Sequence, residues 1–422
     1  FELKSLLSSQ YWYHFPSTSA GLYLLANSMF KKLSYGYTFR IMSAKLVILN
    51  GIAYFCLHKN DALQGINQPF SMKFKAKKRH ILLLVGLAMV WLTQAIPSWG
   101  AFYAHRIYPV SCRLLSGFSN LFPFSIGDLF VIVSVVGLTL LLVKIIFTKM
   151  KGKGRALLSI VEYLAWVYLW FYLAWGLNYS QPSFYQRTGI TPQAFDEEEF
   201  KAFVERFIHQ LNNDYIEIDS LTEENKRQIS DEVVSGYQEI ATTQGIHPPF
   251  HQRPCVKTML YTPLASKVGV SGSMMPFFCE FTLNGDVPAS QYGATYAHEL
   301  SHQQGITNEA EANFYAYQVC TRSEWQPLRF SGRLAILPHL LSNARGMLSN
   351  EDYQALLSAI RPEVMEQYQH NRVYWLDLYS PLMGKVQDWV YDLYLKGNKI
   401  SSGQKNYSEV IGLLISWEEN EL

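Results

Sequence analysis

The chain has 422 residues, of which 49% are hydrophobic and 17% charged, and a formal net charge of +2. Such a length exceeds one usual hydrophobic core, so two or more structural units are expected. The near-neutral charge and the lack of an aromatic-basic RNA motif exclude the electrostatic footprint of a nucleic-acid-binding protein.

Residues 1–71 show neither sustained periodicity nor a complete membrane span and are left unassigned. Met72 opens the basic run Met72 to Arg79, followed at once by an apolar stretch from Ile81 to Ile96, as a signal anchor begins. Met72 is therefore read as the natural start, with residues 1–71 as an artefact upstream of it. Ile96-Pro97-Ser98-Trp99 offers no small-x-small cleavage site, which favours an anchor over a cleaved signal peptide.

Three membrane spans are expected, at about 81–97, 129–147 and 157–177, forming a membrane domain over 72–178. Basic residues precede the first span, and Lys149, Lys151, Lys153 and Arg155 fall between the second and third. The positive-inside rule puts both clusters in the cytoplasm. It then predicts a short external loop around Tyr103 to Asp128 and an extracytoplasmic domain over 179–422. Glu162, costly inside a bilayer, is given no role.

Beyond Thr191 the pattern is mainly helical. Thr191-Pro192 and Asp196 to Glu199 carry helix-start chemistry, and a second helix is predicted from Thr222 to Gln244. Gly245 to Pro249 breaks it, and Cys255 to Tyr261 and Ser273 to Leu283 read as short strands. Helices resume near Ser290 and continue to the end. The five cysteines, Cys56, Cys112, Cys255, Cys279 and Cys320, form no CxxC pair. One disulfide among Cys255, Cys279 and Cys320 is compatible with an extracytoplasmic domain, the pair being left open.

The chemistry is concentrated in His298-Glu299-Leu300-Ser301-His302. Two histidines four residues apart on a helix stand one turn above each other and can reach one metal ion. Neutral imidazoles suit Zn²⁺, and the adjoining Glu299 can take a proton from a zinc-bound water. Gln303-Gln304-Gly305 ends that helix with a glycine suited to the position after its C-cap.

A third ligand is expected from Thr307 to Phe314, which looks like a second helix with Asn308 as N-cap. Glu311 is the preferred ligand and Glu309 the second choice; Glu311 also suits a capping box with Asn308. The spacing imitates the metzincin pattern with Asn308 in place of a third histidine, but a neutral amide is a poor zinc ligand beside a carboxylate. Upstream, Gly272 to Asn284 is read either as an edge strand able to hold an extended peptide or as a core strand, with Pro276 favouring the edge.

These blocks resemble a family of bacterial multi-pass membrane proteins grouped as domain of unknown function 3810. The resemblance rests on Trp175 to Tyr179, Gly272 with Pro276-Phe277, His298 to His302, Gly305, Glu311 to Phe314, and Val390 to Asn398, and covers most of the chain after Met72. The usual arginine after the second histidine is Gln304 here. The resemblance implies a zinc metallopeptidase in the bacterial cytoplasmic membrane. Glu311 to Phe314 is also similar to the second helix of gluzincin-type peptidases, which adds to the case for Glu311.

The fold expected is thus mainly α: transmembrane helices, then a mostly helical, zincin-like α+β domain with a small sheet. The function expected is hydrolysis of peptide bonds at zinc held by His298, His302 and Glu311, with Glu299 as general base, on a peptide or protein substrate near the lipid bilayer. The rival is a non-catalytic sensor or assembly protein with a metal-stabilised domain, which would have little use for Glu299 beside an open coordination site.

Overall fold

A computed structural model describes residues 77–147, 152–385, 387–388, 398 and 409–421. Segment 1–71, Met72, and all of the Val390 to Asn398 block except Asn398 lie outside the described residues. The described chain is mainly helical with one small sheet.

Helix α1 (Lys78–Ala95) ends where Pro97 forces Ile96 into an extended conformation. The chain turns by 105° into α2 (Pro97–Ser119), which contains a π turn at Tyr103–Ile107. Two helices follow, α3 (Ile126–Phe147) and α4 (Lys153–Ala174), each long and apolar enough to cross a membrane; α1 joins them only when counted with its bent continuation. Arg79 pairs with Glu162 at 2.7 Å and Gly86 packs on Leu169, so α1 and α4 run the same way. Phe277 touches both Phe130 near the start of α3 and Phe171 near the end of α4, so α3 runs against them. Glu162, without a role from sequence, thus has a cationic partner on the neighbouring helix.

The stretch expected as a short external loop from Tyr103 to Asp128 is, up to Ser119, part of a helix. The reason is legible in its burial: Ala104, Tyr108, Cys112, Ser116 and Ser119 recur every three or four residues and make one continuous buried face.

After α5 (Phe184–Thr188) comes α6 (Glu197–Asp214), capped by Asp196, whose side chain accepts from the Glu199 N–H. Helix α7 (Glu223–Ala241) is capped in the same way by Thr222. The sheet has the order β1-β3-β2. Strand β1 (Lys257–Thr258) is parallel to β3 (Glu280–Leu283), and β2 (Gly272–Met275) is antiparallel to β3 with Gly272 opposite Leu283. A short α8 (Thr262–Ser266) separates β1 from β2. The single strand expected over Ser273 to Leu283 is therefore a hairpin, turning at Pro276 to Cys279.

Helices α9 (Ala289–Gln303), α10 (Glu309–Arg322) and α11 (Gln326–Met347) pack together behind the sheet. Their core includes Tyr296, Leu300, Phe314, Tyr315, Phe330 and Leu337, all fully buried. Helices α12 (Asn350–Ala359), α13 (Pro362–Leu378) and α14 (Val410–Glu421) complete the described chain, with Trp417 packed edge-on against Phe314. Cys112, Cys255, Cys279 and Cys320 are all free thiols, so no disulfide forms among them; Cys279 and Cys320 are buried apart and Cys255 is exposed.

The sheet meets the apolar helices through one buried charge pair. Lys257 Nζ lies 2.7 Å from Glu280 Oε2, and both side chains are almost wholly buried. The Glu280 carboxylate also accepts from Ser119 Oγ at 2.6 Å, Ser125 Oγ at 2.8 Å and the Gly127 N–H at the start of α3. A Cβ at Gly127 would strike Met275 and Glu280, so glycine permits this approach. Glu280→Ala leaves the Lys257 ammonium buried and unpaired, with an expected cost of about 3–5 kcal/mol. Thermal unfolding in detergent checks this; an unchanged midpoint would mean that the pair carries no structural role.

Candidate metal centre

Helix α9 delivers His298, Glu299 and His302 on adjoining faces, and the turn after it delivers the third group. Gly305 has φ +99°, a backbone state that only glycine takes freely, and a Cβ there would crowd the Tyr108 ring. The reversal lets the Ile306 N–H bond the Ser301 carbonyl and starts α10 at once, with the Asn308 side chain accepting from the Glu311 N–H at 3.0 Å. Asn308 is the cap that its sequence suggests.

His298 Nε2 and His302 Nε2 stand 3.1 Å apart, and Glu309 Oε2 lies 3.2 Å from the first and 3.3 Å from the second. The far nitrogens are anchored. His302 Nδ1 lies 2.7 Å from the Ile306 carbonyl oxygen, which can only accept, so the ring donates from Nδ1. His298 Nδ1 lies 2.8 Å from Asn313 Oδ1 and donates in the same way. With both Nδ1 atoms donating outward, two Nε2 atoms and a carboxylate oxygen converge on one point, an arrangement suited to a shared positive charge, either a metal ion or a proton held between the rings and the carboxylate. A tetrahedral zinc with bonds of about 2.0–2.1 Å separates its ligand atoms by roughly 3.3 Å, so these residues fit it.

A proton can supply the same positive charge. Burial alone would lower His302, but the Glu309 carboxylate outweighs it and raises the imidazole to about 9. Burial would likewise raise Glu309, yet the two imidazoles hold it well below the usual carboxylate range.

The structure brings together His298, His302 and Glu309; it does not bring Glu311 to them. Side chains two positions apart on a helix diverge by about 200°, so Glu309 and Glu311 face opposite ways. Glu311 forms a buried ion pair with Arg187 and accepts from the Phe184 N–H at 3.2 Å. The missed signal is periodic: Asn313 is four residues after Glu309 and shares its face, while Tyr315 is four after Glu311 and lies with Arg187.

Glu299 points to the sheet side. It is 4% exposed, Oε2 has no hydrogen-bond partner among the described residues, and its side chain packs where a Cβ on Gly272 would stand. Burial raises its carboxyl to about 7, against the opposing pull of both histidines. Strand β2, which touches it, is one of the two outer strands of the described sheet. His339 on α11 is close enough to His298 for the two rings to interact electrostatically. Burial lowers it to about 4, leaving it neutral. Tyr374 instead lines a groove of about 1150 Å³ along β1, α7 and α13, which none of the trio borders.

The floor beneath α9 is made by the apolar helices. Tyr108 Oη donates to the Gln303 carbonyl at 2.6 Å, and Trp175 Nε1, just past α4, donates to the His302 carbonyl at 2.9 Å. Gln181 Nε2 reaches the Gly305 carbonyl at 2.7 Å. These donors satisfy carbonyls that a helix end leaves open, and they fix the histidine-bearing turn to the membrane-length helices.

The family profile described as a protein of unknown function, DUF3810, matches residues 103–415. The chain belongs to the DUF3810 family. No curated protein and no solved structure matches it. In this DUF3810 chain the matched region starts inside α2 and includes α3, α4 and the candidate metal centre, so those two membrane-length helices and the site belong to one family unit.

Zinc measured by elemental mass spectrometry on the purified full chain distinguishes the two glutamates: Glu309→Ala is expected to lose the metal and Glu311→Gln to keep it. The reverse pattern would restore Glu311 as ligand. Asn313→Ala removes the bond that orients His298, and is expected to weaken zinc affinity about 10–100-fold in competition with a chelator.

Proposed function

We propose that this DUF3810 protein is a membrane-anchored zinc metallopeptidase with a zincin-like domain. The observation that carries the reading is the convergence of His298, His302 and Glu309 acceptor atoms within 3.3 Å, beside a buried glutamate with one unpartnered oxygen. His298, His302 and Glu309 would hold the zinc, which when bound lowers the pKa of water and polarises a carbonyl.

The chain's own residues do the rest. Asn313 and the Ile306 carbonyl keep both imidazoles oriented with Nε2 toward the centre. Glu299 accepts the proton of the attacking water on its carboxylate. As the new C–O bond forms and the C–N bond breaks, it passes that proton to the departing amine nitrogen. The outer edge of β2 offers main-chain groups to an extended peptide. Lys78 and Arg79 before the body of α1, with Lys153 and Arg155 at the start of α4, support a cytoplasmic position for those ends. The catalytic domain then lies on the extracytoplasmic face of the bacterial cytoplasmic membrane.

The test uses zinc-loaded full chain in detergent and a mixed library of quenched fluorescent peptides. Cleavage is expected, and Glu299→Gln should reduce it by about 10²–10⁴-fold while zinc content stays the same. Equal cleavage by the variant, or no cleavage by zinc-loaded wild type, would count against a peptidase.

A further inference from the structure

Helix α2 has one face that is buried through hydrogen bonds and an opposite, apolar face that the described protein leaves uncovered. Tyr108, Cys112 and Ser119 face inward, where they bond the Gln303 carbonyl at the end of α9 and the Glu280 carboxylate. The other side exposes Trp99, Phe102, Val110, Leu114 and Phe118, with Leu114 71% exposed, and Leu121, 76% exposed, follows in the turn just past the helix. These residues recur at helical spacing on both sides of the π turn, which inserts an extra residue and keeps the two halves in register. A stripe of this length on a helix of about 34 Å is far more than scattered surface leucines.

Its direction decides what covers it. Helix α2 leaves α1 at 105°, and α1 runs along the membrane-length α4. Helix α2 therefore lies across the spanning direction, parallel to a membrane plane. The apolar surface carries on at both ends: α1 exposes Met89 and Trp91 in the turns before α2, and α3 exposes Leu129 and Val133 in its first turns. Arg106 and Arg113 are also exposed on α2, with long stems that can lie on apolar surface while their charges reach the phosphate layer.

We propose that α2 is an in-plane membrane helix, lying on the outer leaflet with its exposed stripe among the upper acyl chains, and that it carries the histidine-bearing end of α9 on its back. Interfacial helices bury their apolar face about 5–10 Å into the headgroup boundary. Because α9 ends directly on Tyr108 and Cys112, the metal centre is held roughly one to two helix diameters, about 10–20 Å, above the acyl layer. If the peptidase reading is right, on which this consequence rests, the substrate is a chain segment just outside the bilayer, such as the stub next to a membrane anchor.

Full chain with Cys56 and Cys255 replaced by serine is reconstituted in nanodiscs of phosphatidylethanolamine and phosphatidylglycerol. Spin labels are placed one at a time at Val110→Cys, Leu114→Cys and Phe118→Cys, with exposed Gln354→Cys as the aqueous reference, and retained zinc content reports an intact fold. At the three α2 positions, collision with oxygen is expected to exceed collision with a water-soluble nickel chelate several-fold, and at Gln354 the order reverses. Nickel-dominated collision on α2 would overturn the proposal in favour of a water-facing helix. Exclusion of both reagents with spin–spin broadening would overturn it in favour of contact between copies. Neither outcome depends on peptide hydrolysis. The substrate consequence is read separately, by whether the wild type cleaves a vesicle-anchored acyl-peptide at least about tenfold faster than the same peptide without its acyl chain. Equal rates would discard that consequence alone.

Discussion

The left-handed turn at Gly305 is the constraint on which the site depends. It stops α9 immediately after His302, gives the Nδ1 of that histidine a carbonyl partner at Ile306, and starts α10 in the one direction that puts Glu309 against both rings. Any side chain at 305 would face both an unfavourable backbone conformation and the Tyr108 ring. The same turn is gripped from below by Gln181 and Tyr108, so the geometry of the centre and its attachment to the apolar helices are one structural event.

That coupling explains the distribution of buried polar groups. Lys257 and Glu280 would be costly in isolation, but they sit where α2, the start of α3 and the sheet meet, each with further hydrogen bonds from serine or backbone. The Arg187–Glu311 pair performs a similar task on the far side of α10, tying α5 to it. Two carboxylates two residues apart on one helix therefore serve different ends: Glu309 completes the acceptor cluster, and Glu311 locks the helix that carries it.

A rigid mounting also suits the proposed chemistry. A general base such as Glu299 must meet its proton within hydrogen-bond reach, and it sits on a helix bonded to three separate elements. An enzyme anchored in this way would select substrates by height above the membrane as well as by sequence.

Much was legible in the residues alone, because it depends on local periodicity and capping. The apolar runs at 129–147 and 157–177, the Asp196 and Thr222 caps, the helical His298 to His302 pair, the glycine after it and the Asn308 cap are all encoded within one or two helical turns. The choice between Glu309 and Glu311 was not, since both lie in the first turn of α10 and only the packing direction of that helix against α9 separates them. The role of Tyr103 to Ser119 was also hidden: only the 105° bend and the contacts of Tyr108 and Cys112 show which face supports the site and which is left uncovered. Sequence by itself determined most of the helical segments, the stretch up to Ser119 excepted, and which residue types could bind a metal, since those follow from short-range propensity and spacing. Tertiary structure decided which carboxylate meets the histidines and which helix face remains open, because those depend on contacts between residues far apart in the chain.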